Sequence, residues 1–196
     1  MAEPLFGEVL YNPTALIVAA LSSSNVYGTP VEVTRFDTVD WDYEAMNDEL
    51  MSAGLITDLL SIITKLTGTI KEASINRAAL TVLTGDTSSG SGTTPNQVNT
   101  MDFKVGGAGL PYFGCIVRFE ALYGANVLAG MPKCKLDSMP AFAVEQNAFR
   151  RGEASFSAIA AGTTSNSPIR LRSHETAAAI PISQVNFQAF FAGMFS

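Results

Sequence analysis

The sequence predicts a mainly β protein, an antiparallel sandwich or barrel with one α-helix flanking a sheet face or edge. Three features point there: short segments in which apolar and polar residues alternate, turn residues between those segments, and one stretch with helical spacing. The chain has 196 residues, a length that suits a single domain, 1–196. Within it, residues 1–29 read as an N-terminal arm and residues 86–99 as a flexible loop. Hydrophobic residues make up 47% of the chain, too many for a polymer that stays disordered.

Taken in order, the elements justify this reading. ALIVAALSSS, at 15–24, has the length of a signal-peptide core, but Glu3 and Glu8 precede it and no Lys or Arg does, so it reads as a buried strand. No apolar run approaches the roughly 20 residues of a membrane span, and the expectation is a soluble protein without a membrane partner. TVDWDYE, at 38–44, reads as a strand with Asp40, Asp42 and Glu44 on one face and Val39, Trp41 and Tyr43 on the other. The acids concentrate between Asp37 and Glu49, with no Lys or Arg in that stretch to pair with them.

SINRAALTVLTGD, at 74–86, places Ile75, Ala79, Val82 and Leu83 at helical spacing, with Ser74 as N-cap and Gly85 as the stop. The Ser/Thr/Gly tract that follows lacks an apolar anchor and reads as a mobile surface loop. MDFKV is expected to be a strand with Met101, Phe103 and Val105 on one face; CIVRFEAL another, with Val117 and Phe119 opposite Arg118 and Glu120. Turns are expected at 123–126 and at Met131-Pro132. FSAIAAG, after Arg150 and Arg151, reads as a short strand, and QVNFQAF as a strand with Val185, Phe187 and Ala189 facing one way.

Most chemistries fail on specific residues. Twelve basic against 18 acidic residues give a net charge of −6, which disfavours a protein that grips nucleic acid through its phosphates. Cys115 and Cys134 lack CxxC spacing and a nearby histidine, and read as buried free thiols. Gly85 to Gly90 fits the glycine spacing of a P-loop, but Ser91 stands where the lysine belongs and the helix comes before the loop. In FKVGGAGLPYFGC, at 103–115, Tyr112 takes the place of the third glycine of a dinucleotide fingerprint, so the run reads as a strand connection. Asp40, Asp42 and Glu44 begin like a calcium loop, yet Ala45 replaces its glycine and Met51 its bidentate glutamate. His174, the one histidine, sits in the polar segment RLRSHETA with no G-x-S-x-G turn to pair with, and reads as a surface residue. Neither a metal nor another cofactor is expected, and the chain does not read as an enzyme.

The order of features has a known counterpart. An acidic β-hairpin region, a helix ending in LTG (Leu83-Thr84-Gly85), a polar loop, the turn GLPYFG, a strand ending in RFE, and GMPKCKLD before a C-terminal strand together resemble the tail tube protein, or major tail protein, of long-tailed bacteriophages. The likeness runs from about Pro30 to Phe191. It implies a β-sandwich with a flanking helix, six copies to a ring, and rings stacked into the hollow tube through which the genome leaves the virion. It further implies tape measure and tail terminator proteins as partners, DNA passing without specific binding, synthesis in the host cytoplasm and residence in the virion tail. In that frame Asp40, Asp42 and Glu44 face the lumen and repel DNA. Ser88, Ser89, Gly90, Ser91 and Gly92 form a loop that orders between rings, and Val82 and Leu83 pack the helix onto the sheet. The alternative expectation is a soluble β-sandwich or barrel that binds a small molecule or a carbohydrate, with an enzyme third.

Overall fold

The structure, a computed structural model, describes residues 10–33, 36–52, 55–72, 76–103, 109–121, 126–143, 151–162, 167–174 and 183–195. Its strands are β1 (Leu10–Ala20), β2 (Val31–Val33), β3 (Phe36–Ser52), β4 (Leu55–Glu72), β5 (Ser88–Ser91), β6 (Val98–Met101), β7 (Tyr112–Ala121), β8 (Asn126–Leu136), β9 (Ala141–Ala143), β10 (Arg151–Ile159) and β11 (Arg170–His174). Among the described residues two helices accompany them, α1 (Arg77–Thr84) and α2 (Gln184–Phe190). The main sheet has nine strands in the order β2-β1-β7-β8-β10-β4-β3, with β11 also on β8 and β9 also on β10. Every pairing in it is antiparallel. The fold is therefore mainly β and antiparallel, but among the described residues the sheet is open: β2 and β3 end it without pairing to each other, and no closed barrel forms.

The sheet curls around one apolar core. Val33 at one end and Val39 at the other belong to the same buried cluster as Leu16, Leu66, Phe113 and Phe156, and α1 adds Ala79 and Leu83 to it. The expected N-terminal arm is not an appendage in its described part, because β1 lies inside the sheet between β2 and β7 with Leu16, Ile17 and Val18 buried. Alternation in β7 is as expected, with Val117 and Phe119 buried and Arg118 and Glu120 half-buried.

The expected turn at Met131-Pro132 is instead a bulge inside β8. Phe113 stands opposite Cys134 and Cys115 opposite Met131, so β8 carries one extra residue there. That residue flips the period of two: Met131 and Cys134, three apart, both face the core. Proline is accepted because a bulge does not need its missing N–H. The other expected turn, 123–126, lies outside the described residues except for Asn126, which opens β8.

Helix α1 ends where expected and starts later. Gly85 caps it at φ 76, the left-handed region open to glycine, and its N–H donates to Thr81 O. The N-cap is Asn76, whose Oδ1 accepts from Ala78 N and Ala79 N at 3.1 and 3.2 Å; the expected cap, Ser74, and Ile75 lie outside the described residues. Asn76 Nδ2 also donates to Glu32 O at 2.9 Å, tying the helix start to β2. Leu83 is fully buried, while Val82 is half-buried at the margin of the core. Asn76→Ala is expected to lower stability by about 1 kcal/mol through loss of the cap, read as a lower urea midpoint at unchanged slope. An unchanged midpoint would remove Asn76 from that role.

The segment 86–99 is largely a hairpin rather than an irregular loop. β5 and β6 pair from Ser88↔Met101 to Ser91↔Val98, Gly92 turns at φ 82, and all of Ser88, Ser89, Gly90, Ser91 and Gly92 are exposed. Its root is fixed on both sides, since Arg77 of α1 hydrogen-bonds Asn99 and Asp86 is buried. MDFKV is not a strand with a buried face: β6 stops at Met101, Phe103 is exposed, and Val105 lies outside the described residues.

QVNFQAF is helix α2, not a strand. Phe187, Phe190, Phe191 and Met194 recur at helical spacing and are buried together against Ile17, Ala19, Ile116 and Leu128 on the outer face of the sheet. Val185, expected to share a face with Phe187, is 77% exposed. Ser183 Oγ accepts from Asn186 N at 3.2 Å as the N-cap. Gln188 accepts from Tyr27 N at 3.0 Å and donates to Asn25 O at 3.2 Å, and Arg170 Nη1 donates to Phe190 O and Ala192 O at 2.6 and 3.0 Å, holding the last turn. Gly130 leaves room for this helix, because a Cβ there would stand 2.3 Å from the Phe190 ring.

Candidate functional site

Helix α2 covers the outer face over β1, β7 and β8; over β10, β4 and β3 that face is polar, and no described residue covers it. The register decides which side chains share it. Asp40 stands opposite Thr69 and Asp42 opposite Thr67 on β4, and these stand opposite Ser155 and Ser157 on β10. Since successive residues of a strand point to opposite faces, two rows of carboxylate, threonine and serine lie side by side. Asp40, Asp42 and Glu44 are exposed, as the alternation predicts.

On the inner side the expected aromatic anchor fades along β3. Val39 is 7% exposed and in the core, the Trp41 ring is half-buried edge-on to Phe119 at 5.5 Å and 71°, and Tyr43 is already 47% exposed. The expectation that no base stands near Asp40, Asp42 and Glu44 fails for Glu44: Lys65 Nζ lies 2.9 Å from Glu44 Oε2. Lys65 faces Glu44 across the β3–β4 ladder, a partner hidden from any local reading of β3. The hydrogen bond and charge of Glu44 hold the Lys65 ammonium above its ordinary range.

Between the rows runs an open groove of about 300 Å³ lined by Asp40, Trp41, Asp42, Thr67, Gly68, Thr69, Asp137 and Ser155. Ser157 Oγ donates to Asp137 Oδ1 at 2.7 Å. Among the described residues no three His, Cys, Asp or Glu side chains come close enough together to hold a metal ion. The Trp41 ring packs inward on Phe119, so the groove gains no stacking surface for a sugar from it. What the arrangement offers is a hydrated, hydrogen-bonding and negatively charged surface.

No protein-family model and no characterised protein sequence matches the chain.

The remaining sequence candidates are dispersed. Tyr112 opens β7, so the glycine run before it leads into a strand, with Gly109 at φ 81. Cys115 and Cys134 are buried free thiols, and burial pushes the Cys134 thiol up. His174 closes β11 opposite Asn126; Arg151 opens β10, and Arg150 lies outside the described residues. The sequence reading missed Thr67, Thr69, Ser155, Ser157, Asp137, Lys133 and Lys135. The signal was there as a period of two, in Thr67-Gly68-Thr69, Ser155-Phe156-Ser157 and Lys133-Cys134-Lys135.

Proposed function

We propose that the chain is a structural subunit of a phage tail tube, assembling as rings of six copies that stack into the conduit for the genome. The observation that supports this most is the β3–β4 hairpin, with strands of 17 and 18 residues. β4 pairs with β10 only from Leu66 to Glu72. Past Glu44↔Lys65 the two strands continue for eight more pairs, from Ala45↔Ile63 to Ser52↔Leu55, with no further strand beside them among the described residues. At about 3.3 Å per residue this arm is roughly 26 Å long. Its sequence is rich in Leu, Ile and Met, and an isolated two-stranded ribbon is marginal in water. A neighbouring copy supplies what the ribbon lacks.

The sheet edge supports the same reading. Nothing described pairs with the outer edge of β3, and an unpaired edge of that length invites another chain. Closure of edges between copies removes the hazard and leaves the polar outer face of β10, β4 and β3 to line a channel. Asp40, Asp42 and Glu44 then keep DNA from adhering, and the β5–β6 hairpin is placed to reach a neighbouring ring. Tape measure and tail terminator proteins would be the partners in the virion tail, after synthesis in the host cytoplasm, with no catalysis and no cofactor.

The test is the variant with Asp40, Asp42 and Glu44 all changed to lysine. Tube yield by microscopy should be preserved, whereas DNA delivery by the assembled particle should fall and become steeply salt-dependent, because each new phosphate contact releases counterions. Loss of assembly would place these carboxylates at a subunit interface, and normal delivery would leave them an ordinary solvated face.

A further inference from the structure

One row of the core ends exposed at a strand edge. Val33, Leu16, Val117, Ala129 and Leu171 stand opposite one another on β2, β1, β7, β8 and β11. The first four are at most 2% exposed, whereas Leu171 is 43% exposed. Nothing described pairs with the far edge of β11. β10 and β11 share one side of β8, β10 along 133–136 and β11 along 126–130. β4 flanks β10 alone, and its pairs there end at Leu66↔Ala158. The place beside β11 is therefore that of one more strand, whose inward side chains would cover Leu171.

The surroundings of that edge are basic. Arg170 is committed to α2, through Phe190 O and Ala192 O. Arg172 is exposed, its guanidinium 4.7 Å from the centre of the Phe190 ring. β8, α2 and the ten residues before β11 contain no Asp or Glu; Glu175, the next residue after β11, lies outside the described residues. The arm of the β3–β4 hairpin has the complementary properties. Residues 45–63 hold Asp48, Glu49 and Asp58, no Lys or Arg, and eight Leu, Ile or Met residues. The eight residues of its β3 strand, 45–52, exceed the five of β11.

We propose that β11 is the surface that receives the arm of a second copy, the free edge of residues 45–52 pairing with β11 and an arm acid meeting Arg172. This rests on the reading that a neighbouring copy covers the arm, and it names where. Within one chain arm and β11 are both unpaired at these edges; two copies satisfy both. Neighbouring residues of a strand take opposite faces. One of Asp48 and Glu49 therefore falls on the face of Arg172 in any register, and one of Leu50 and Met51 on the face of Leu171. The contact is heterologous, one arm on one β11, so no like-charge contact mirrors it, and its repetition builds a ring or a filament.

Two full-length charge variants test this by sedimentation velocity: Asp48→Lys with Glu49→Lys on the arm, and Arg172→Glu on β11. Each alone sets like charges against each other and should weaken self-association by roughly tenfold or more. Mixed in equal amounts they should associate again, because every arm then finds a β11 of opposite charge; all three substitutions in one chain should do the same. Hydrogen exchange on the wild type is the second measurement. Amides of 170–174 should exchange quickly in the dilute subunit and slow on association. Failure of both rescues, or β11 amides that exchange alike before and after association, overturns the proposal. So does an edge already protected in the dilute monomer, which would mean that the chain covers it itself. Tubes that form with β11 unprotected sink this docking and leave the tube reading standing. Oligomers with β11 protected and charge rescue, but never a tube, keep the docking and sink the tube. A wild-type chain that stays monomeric throughout overturns both.

Discussion

Leu83→Asp is expected to leave no soluble folded protein. Leu83 is 1% exposed and sits where α1 closes the curled sheet, in a cluster that draws on β1, β2, β3, β4, β7, β8 and β10. A carboxylate placed there has no described partner, and an unpaired buried charge costs about 3–5 kcal/mol. The lost leucine contacts add to that, and a domain has only about 5–15 kcal/mol in total. Val82→Asp is the control, since Val82 lies half-buried at the core margin, and that variant should fold with a lowered midpoint. The check is soluble yield and circular dichroism of both proteins. A folded Leu83→Asp protein beside an unfolded Val82→Asp protein would mean that the helix presents a different face.

Shortening the β3–β4 arm should give the opposite result, a well-folded subunit that cannot assemble. Residues 46–62 can be replaced by Asn-Gly, which joins Ala45 to Ile63, an existing pair, through the tight turn that suits the twist of two strands. The core residues of this hairpin, Val39, Leu66 and Ile70, lie below the cut, so unfolding should occur at nearly the same denaturant concentration. Self-association, followed by sedimentation over a wide concentration range, should disappear. Tubes built from the shortened chain would show that the arm has no part in assembly.

The sequence disclosed most where a single local rule governs. The alternation of TVDWDYE placed Asp40, Asp42 and Glu44 on an exposed face, and Gly85 stopped α1 as its backbone freedom suggested. It misled where two periods fit the same residues: Val185, Phe187 and Ala189 alternate, but Phe187, Phe190, Phe191 and Met194 bury a larger apolar stripe, and the helix wins. Pro132 read as a turn because a proline interrupts a ladder, and only the partner strand reveals the bulge that accommodates it. Asn76 was legible as a cap, since its capping bonds run to Ala78 N and Ala79 N just ahead, but Ser74 fits the same rule; only the tie to Glu32 O, from a strand more than forty residues away, lies beyond a local reading. The site was half legible for the same reason. Acids on β3 are local, whereas Lys65 beside Glu44, the hydroxyls of β4 and β10, and the lysines of β8 join them only through pairing of distant strands.

The central claim is self-assembly into a tube, and a heterologous contact that repeats along an axis without closing builds a filament. Electron microscopy of the purified full-length chain at rising concentration tests it most directly. Rings, and tubes of stacked rings that lengthen with concentration, are the predicted result; particles no larger than a monomer or a dimer across wide ranges of concentration and salt would contradict it.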